Sequence, residues 1–458
     1  MPSQNEVINV ISNTHARHRA QLVDQLNSVR SLYLSQELRP TADSQMKLAT
    51  FSIHYIENWS FKHQMVSCIH IANSELPGYD WQASQKSSLA DVAAEADVVA
   101  TLYGLTEVNH LPGFSTRVTS TVEDADIHSE HLGQKGYGSL LDRAVVNALR
   151  KSDQKLIEVI NKAASMLNVP DFDWHCDVSN CKSLPWFEQL RLLDMVLSRE
   201  SAMREQEADA CGSGRSPLDA DDFILLSKII EVLRPFQEVA ERVRNPNSVT
   251  CSLAFASIML LKAALKDLDE AYPDFQLVAE LRTEFQSVTS SIDNGQSNTY
   301  TTATILDPRF KLQWCDSENQ SKFKKSFIEA AKDNNAPKPE VCKSEYKPSS
   351  TQCGGFFTRI LKQQPESLQV GTITSEVLRY LDEPLMQEDC DVLNYWQGNE
   401  TNFPHLSLLA QRYLAMPTSA SNIDHVFELK GQILDVKHTP LSGDILEKII
   451  ELRPGFQQ

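Results

Sequence analysis

The apolar residues of this chain change their repeat once, and that change constrains the fold more than any other feature. In LATFSIHYIENWSFKHQMVSCIHIA (48–72) apolar and polar positions alternate across two runs separated by Glu57-Asn58. Phe51, Ile53 and Tyr55 on one run and Ser67, Ile69 and Ile71 on the other follow a period of two, which predicts a β-hairpin. From Ser139 onward, LLDRAVVNALRKSDQKLIEVINKAASML carries apolar residues three and four positions apart, the spacing of an amphipathic helix. Residues 1–45 read as polar helix and loop. Strands early thus give way to a long helical block.

The helical pattern continues through ADDFILLSKIIEVLRPFQEVAERV, CSLAFASIMLLKAALKDLDEAY and LVAELRTEFQSVTSSI. Phe223, Leu226, Ile230 and Leu233 share one face, and Pro235 is expected to end or kink that helix because it lacks the backbone N–H. QEADACGSGRSP (206–217) reads as a loop, and DNGQSN (293–298) has turn chemistry. KDNNAPKPEVCKSEYKPSSTQCGG (332–355) is rich in Pro, Ser, Gly and Lys and is expected to be a flexible linker. Compact helices follow around HLSLLAQRYL and SGDILEKIIEL.

Charge and cysteine usage narrow the function. Forty-three Lys plus Arg against sixty-one Asp plus Glu give a net charge of −18, which repels phosphate backbones, and no basic run overrides it. DNA binding by this chain alone is therefore expected to be weak. No stretch approaches the roughly 20 apolar residues of a membrane helix, and MPSQNEVINV lacks the regions of a signal peptide, so a soluble, intracellular protein is expected. The nine cysteines form no CxxC pair, so reduced thiols are expected. His175, Cys176 and Cys181 lie close together but lack a second ligand pair at zinc-finger spacing, which favours incidental thiols over a metal site.

A resemblance then emerges from particular residues. ATILDPRFKL (303–312) is similar to the LDPRFK motif of hAT-family DNA transposases, matched without interruption by Leu306, Asp307, Pro308, Arg309, Phe310 and Lys311. Downstream, Tyr380-Leu381, Tyr395-Trp396, Phe403-Pro404, Leu406, Leu409-Ala410, Arg412, Leu414, Pro417, Phe427 and Gly431 follow the order and spacing of that family's carboxy-terminal dimerisation region. Upstream, His54-Tyr55-Ile56-Glu57 resembles the family's paired strands, and DVSNCKSLPWFEQLRLLD resembles a stretch in which Asn180, Cys181 and Lys182 stand in place of a Thr-Arg-Trp core.

The resemblance implies a ribonuclease H-like core in which two aspartates and one glutamate hold two magnesium ions for in-line attack on phosphate. This chain departs from that set. For the first aspartate, Glu37 by spacing or Asp43 by identity stands nearest; for the second, Glu107, beside Asn109. Asp424 occupies the position of the catalytic glutamate, with His425 after it. Aspartate is one methylene shorter, which sets its oxygens about an ångström back from a geometry tolerant of roughly half that. Read without the resemblance, Glu37, Asp43 and Glu107 are hydrated surface acids, and Asp424 is an acid at a helix start.

The sequence thus predicts an α/β, ribonuclease H-like core interrupted by a large all-helical insertion. Residues 1–140 form the first part of the core, 141–331 the insertion, 332–365 a linker, and 366–458 the dimerisation region that completes the core. The expected function is a nuclear, transposase-derived interaction module that forms a homodimer, holds no intact metal site and needs no cofactor. It is also expected to be without the BED-type zinc finger common in the family. The alternatives are an active, magnesium-dependent transposase using Glu37 or Asp43 with Glu107 and Asp424, and a transposon remnant without a role. Tyr380, Leu381, Trp396, Phe403, Pro404, Leu406, Leu409, Leu414 and Phe427 are the expected core and dimerisation residues, and as ordinary intrachain core most of them need no partner.

Overall fold

A computed structural model describes residues 3–26, 31–40, 46–72, 136–166, 186–200, 218–245, 248–293, 298–315, 317–332, 373–418 and 443–452, with Val29, Val98, Val99 and Leu102. Among them, helices predominate and one small sheet is present. Helix α1 (Gln4–Leu26) leads into strands β1 (Tyr33–Pro40), β2 (Met46–Glu57) and β3 (Ser60–Ala72). These pair antiparallel in the order β1-β2-β3. The predicted hairpin is therefore β2 and β3. Strand β1 lies where only helix and loop were expected, because YLSQELRP offers little alternation.

The hairpin turn sits one residue later than the sequence suggested. Glu57 pairs with Ser60, and Asn58 and Trp59 form the tip with φ of 50° and 56°. Asparagine accepts that left-handed conformation readily; a tryptophan does not. Farther down the ladder, Ser52 pairs with Met65 and Phe51 with Ser67, leaving Val66 as the extra residue of a bulge. Strict alternation would send Val66 and Ile69 to opposite faces. The bulge lets both join Phe51, Ile53 and Leu34 in one apolar cluster with Leu22 and Leu26 of α1.

The other sheet face is polar yet buried. Ser35, Thr50, Ser52 and His54 are all at most 2% exposed. The Ser35 hydroxyl lies 2.7 Å from His54 Nε2, while His54 Nδ1 and Thr50 Oγ1 are buried without a hydrogen-bond partner. Burial, reinforced by the neighbouring His63, pushes the His54 pKa down to about 3.

Every described element from Tyr137 to Lys332 is helical: α2 (Tyr137–Lys151), α3 (Gln154–Ser165), α4 (Trp186–Ser198), α5 (Ala220–Val243), α6 (Leu253–Ala271), α7 (Gln276–Asp293), α8 (Asn298–Ile305) and α9 (Ser317–Lys332). Helix α2 packs on α7, α4 on α5, and α6 on both α5 and α7. Asp219 caps α5 by accepting from Asp222 N, and the Asp222 side chain returns to Asp219 N.

Of the two outcomes expected at Pro235, ending the helix does not occur, because α5 runs on through it. Proline removes one helical hydrogen bond and costs about 3 kcal/mol in a helix interior. Ile229, Ile230, Val232, Leu233, Phe236, Val239 and Ala240 are buried around it. At about 1.5–3 kcal/mol per large apolar side chain, that burial outweighs the proline.

After these come α10 (Ile373–Asp382), α11 (Val392–Gly398), α12 (Pro404–Tyr413) and α13 (Gly443–Glu451). Helices α10 and α12 join the helical body through α8 and α9, whereas α13 packs on β3 and α1. The end of the chain thus returns to its beginning. Among the described residues no helix is long and apolar enough to cross a membrane.

Candidate functional site

The helical body and the carboxy-terminal helices meet at a joint built by residues 306–311. Asp307 is fully buried. Its Oδ2 accepts from Arg309 Nη2 at 2.7 Å and from the Ser252 hydroxyl at 2.7 Å, and its Oδ1 accepts from Arg309 Nε at 2.9 Å and Arg309 N at 3.1 Å. This fork-on-fork pair satisfies both carboxylate oxygens, which an acid so deeply placed requires. Burial opposes the charge on Arg309, yet the hydrogen bond and the negative charge of Asp307 hold its pKa above the ordinary value.

Lys311 is 3% exposed. Its ammonium donates to the carbonyls of Tyr380 at 2.6 Å, Glu383 at 2.8 Å and Pro384 at 3.4 Å, and stands 4.6 Å from the centre of the Tyr380 ring. Desolvation lowers its pKa, against the pull of Glu383 and Asp382. With all three donors directed at carbonyls, this lysine cannot reach a phosphate. Its backbone takes φ of 47°, a strain of about 1–2 kcal/mol that the side-chain bonds offset.

The joint closes from the other side as well. The Tyr380 hydroxyl donates to Ile305 O at 2.8 Å, Trp396 Nε1 to Leu306 O at 2.9 Å and Met386 N to Pro308 O at 3.0 Å. Three carbonyls at and just beyond the end of α8 are thereby satisfied by the carboxy-terminal region. Glu376 of α10 accepts from His405 N at 3.0 Å and Leu406 N at 3.2 Å, and its Oε1 lies 2.5 Å from His405 Nδ1. It therefore supplies the amino-terminal cap of α12, which the Phe403 side chain cannot.

The residues expected for core and dimerisation divide sharply. Tyr380, Trp396, Phe403, Leu406, Leu409 and Leu414 are buried within the chain, in one core that includes α5 to α8. Leu381 packs against it partly buried, and Pro404 opens α12 at its first turn. Phe427 lies outside the described residues. The aromatic and leucine positions therefore form intrachain core first.

The carboxylate candidates are not brought into view as a group. Glu37 stands in β1 opposite Thr50, while Asp43, Glu107 and Asp424 lie outside the described residues, as do His175, Cys176 and Cys181, the 206–217 loop and the linker from 333. Among the described residues no three His, Cys, Asp or Glu side chains gather as a metal would require.

A second joint, missed in the sequence, fastens the sheet. The Tyr33 hydroxyl donates to Arg412 O at 2.6 Å and Trp59 Nε1 to Glu400 Oε1 at 2.6 Å. His15 of α1 pairs with Glu451 of α13, which also accepts from Cys68 N at 3.3 Å. The signal available for it was Trp59 itself, an indole placed at a hairpin tip.

Comparison with known proteins places these observations. A family model described as the hAT family C-terminal dimerisation region matches residues 376–454. The chain is 23% identical over 279 residues to the human zinc finger BED domain-containing protein 4, covering 58% of this chain and 23% of that protein. It is 24% identical over 254 residues to the Arabidopsis thaliana zinc finger BED domain-containing protein DAYSLEEPER, covering 52% and 35%. A putative AC transposase of Zea mays is 28% identical over 79 residues, 17% of this chain and 10% of that protein. The matched stretches thus span at most 35% of these relatives' length.

Proposed function

Because the chain is a hAT-family transposase-like protein, we propose that it acts as a self-associating, transposase-derived interaction module that has lost strand transfer and works in the nucleus. The match of residues 376–454 to a dimerisation region carries this reading. Support also comes from where the sequence keeps and loses polar residues. Asp307, Arg309 and Lys311, whose bonds are structural, remain as in the family motif, while the acid set departs from it, with Asp424 where a glutamate is expected. Selection for a folded scaffold retains the former without the latter.

The core is proposed to be ribonuclease H-like. The antiparallel meander β1-β2-β3, with α13 returning to β3, supports that reading. DNA, if bound at all, requires neutralising a chain of net charge −18.

Two measurements test the proposal. Sedimentation velocity of the full chain at micromolar concentration is expected to give a dimer. A magnesium-dependent nicking assay is expected to give no cleavage, and cleavage abolished by Asp424→Ala would establish the enzyme instead.

A further inference from the structure

We propose that His54 and His63, facing each other across β2 and β3, bind a soft monovalent metal ion, copper(I), with the Met65 thioether as a third donor. These donors share no residue with the acids Glu37, Asp43, Glu107 and Asp424. His54 is fully buried, and its Nδ1 has no hydrogen-bond partner. A polar atom shut away from water in this way calls for a partner.

The sheet order fixes where that nitrogen points. Strand β2 lies between β1 and β3, and His54 Nε2 lies 2.7 Å from the Ser35 hydroxyl of β1. The two nitrogens of an imidazole leave the ring on opposite sides of its bond to Cβ, so Nδ1 faces β3. There His63 is the direct cross-strand partner of His54. The two ring centres are 6.2 Å apart and the ring planes 25° from parallel. A metal bonded at about 2.0–2.1 Å to one nitrogen of each ring sets the centres roughly 5–6.5 Å apart. The pair thus stands at the near-linear end of that range.

Ser35 prepares the ring for this role. Its hydroxyl donates to Ser52 O at 3.4 Å, which assigns the ring proton to Nε2 and leaves Nδ1 a bare lone pair. A hydrogen bond that fixes the tautomer from the other nitrogen is the usual support of a histidine ligand. Burial keeps the ring neutral, with its pKa pushed down to about 3.

The surroundings select the ion. Zinc and magnesium call for more ligands, several of them anionic, and among the described residues no three His, Cys, Asp or Glu side chains gather. A dication would also carry two charges into a face whose described neighbours, Ser35, Thr50, Ser52 and Met65, are buried and neutral. Copper(I) carries one charge, accepts two imidazoles in a near-linear array and is favoured by thioether sulfur. Met65 follows His63 on the same face of β3, in register with Ser52, and is buried. His63 is partly exposed, which gives the ion a way in.

Titration of the full chain with copper(I) under anaerobic, reducing conditions, in competition with the chelator bicinchoninate, tests the site. Thiols also bind copper(I) and are common to every variant, so the readout is a difference. The wild-type chain is expected to take up one equivalent more than His63→Phe, and Met65→Leu to hold that equivalent roughly tenfold less tightly. Equal uptake by the wild type and His63→Phe would overturn the assignment. If His63→Phe melts well below the wild type, X-ray absorption of the copper-loaded wild-type chain decides instead. Nitrogen neighbours at about 2 Å from copper support the site, and sulfur neighbours alone overturn it.

Discussion

The carboxy-terminal helices meet the rest of the molecule in two places, and the two contacts use different chemistry. Against the helical body, the joint at 306–311 is largely buried and made of charges and carbonyls, with Asp307, Arg309 and Lys311 each bonded several times over. Against the sheet, the contact is a few separate bonds among apolar side chains, with an indole at a strained hairpin tip, one tyrosine hydroxyl and one ion pair between α1 and α13. A dry polar joint tolerates no partial loss, because each group left behind is buried without water. Separate bonds among apolar contacts are lost one at a time.

The largest expected effect lies at the enclosed joint. Asp307→Ala should lower stability by about 3 kcal/mol or more, since Arg309 is then left charged and unpaired. Thermal melting checks this, and a change below about 1 kcal/mol would mean that water reaches the joint. Next comes Trp59→Gly at the sheet contact. Glycine relieves the positive φ, worth about 1 kcal/mol, but loses a buried tryptophan worth about 3–5 kcal/mol. A net loss of about 2–4 kcal/mol is expected by chemical denaturation, and a net gain would show that the tip is not docked in solution.

Lys311→Met keeps the stem but abandons the carbonyls of Tyr380 and Glu383, and should cost about 1–3 kcal/mol. On the sheet side, His54 makes stability depend on pH. Its folded pKa of about 3 lies below its ordinary 6.5, so the unfolded chain binds the extra proton. Its contribution is present above pH 6.5 and is lost as pH falls from there toward 3. Denaturation at stepped pH should show that slope, and His54→Gln should flatten it. The smallest effect is expected for Arg234→Ala, which removes a half-exposed pair with Asp194 and should change stability by less than about 0.5 kcal/mol.

How much of this was legible in the chain varies by element. The β2–β3 hairpin and the long helices were readable because their apolar residues repeat at the period of the backbone. Strand β1 was not, since YLSQELRP offers little alternation and its Ser35 is buried although polar. At Pro235 the chain alone left ending and kinking both open. A local rule favours ending the helix, and the packing of Phe236 against Phe285 lies outside any local rule. At the joint, the motif from Leu306 to Lys311 was plain as a string of letters, but its role was not, because its partners stand some seventy to ninety residues downstream.

By itself the sequence determined the β2–β3 hairpin, the long helices and the family likeness, because these are written in spacing and residue identity along one dimension. Only the tertiary structure decided what the charged residues of the motif do. Whether an arginine, a lysine and an aspartate hold a ligand or hold the protein depends on which groups surround them in space, and here carbonyls and one another surround all three. It also decided which apolar residues of the dimerisation region remain for a partner, since burial is a property of the folded chain and not of any side chain alone.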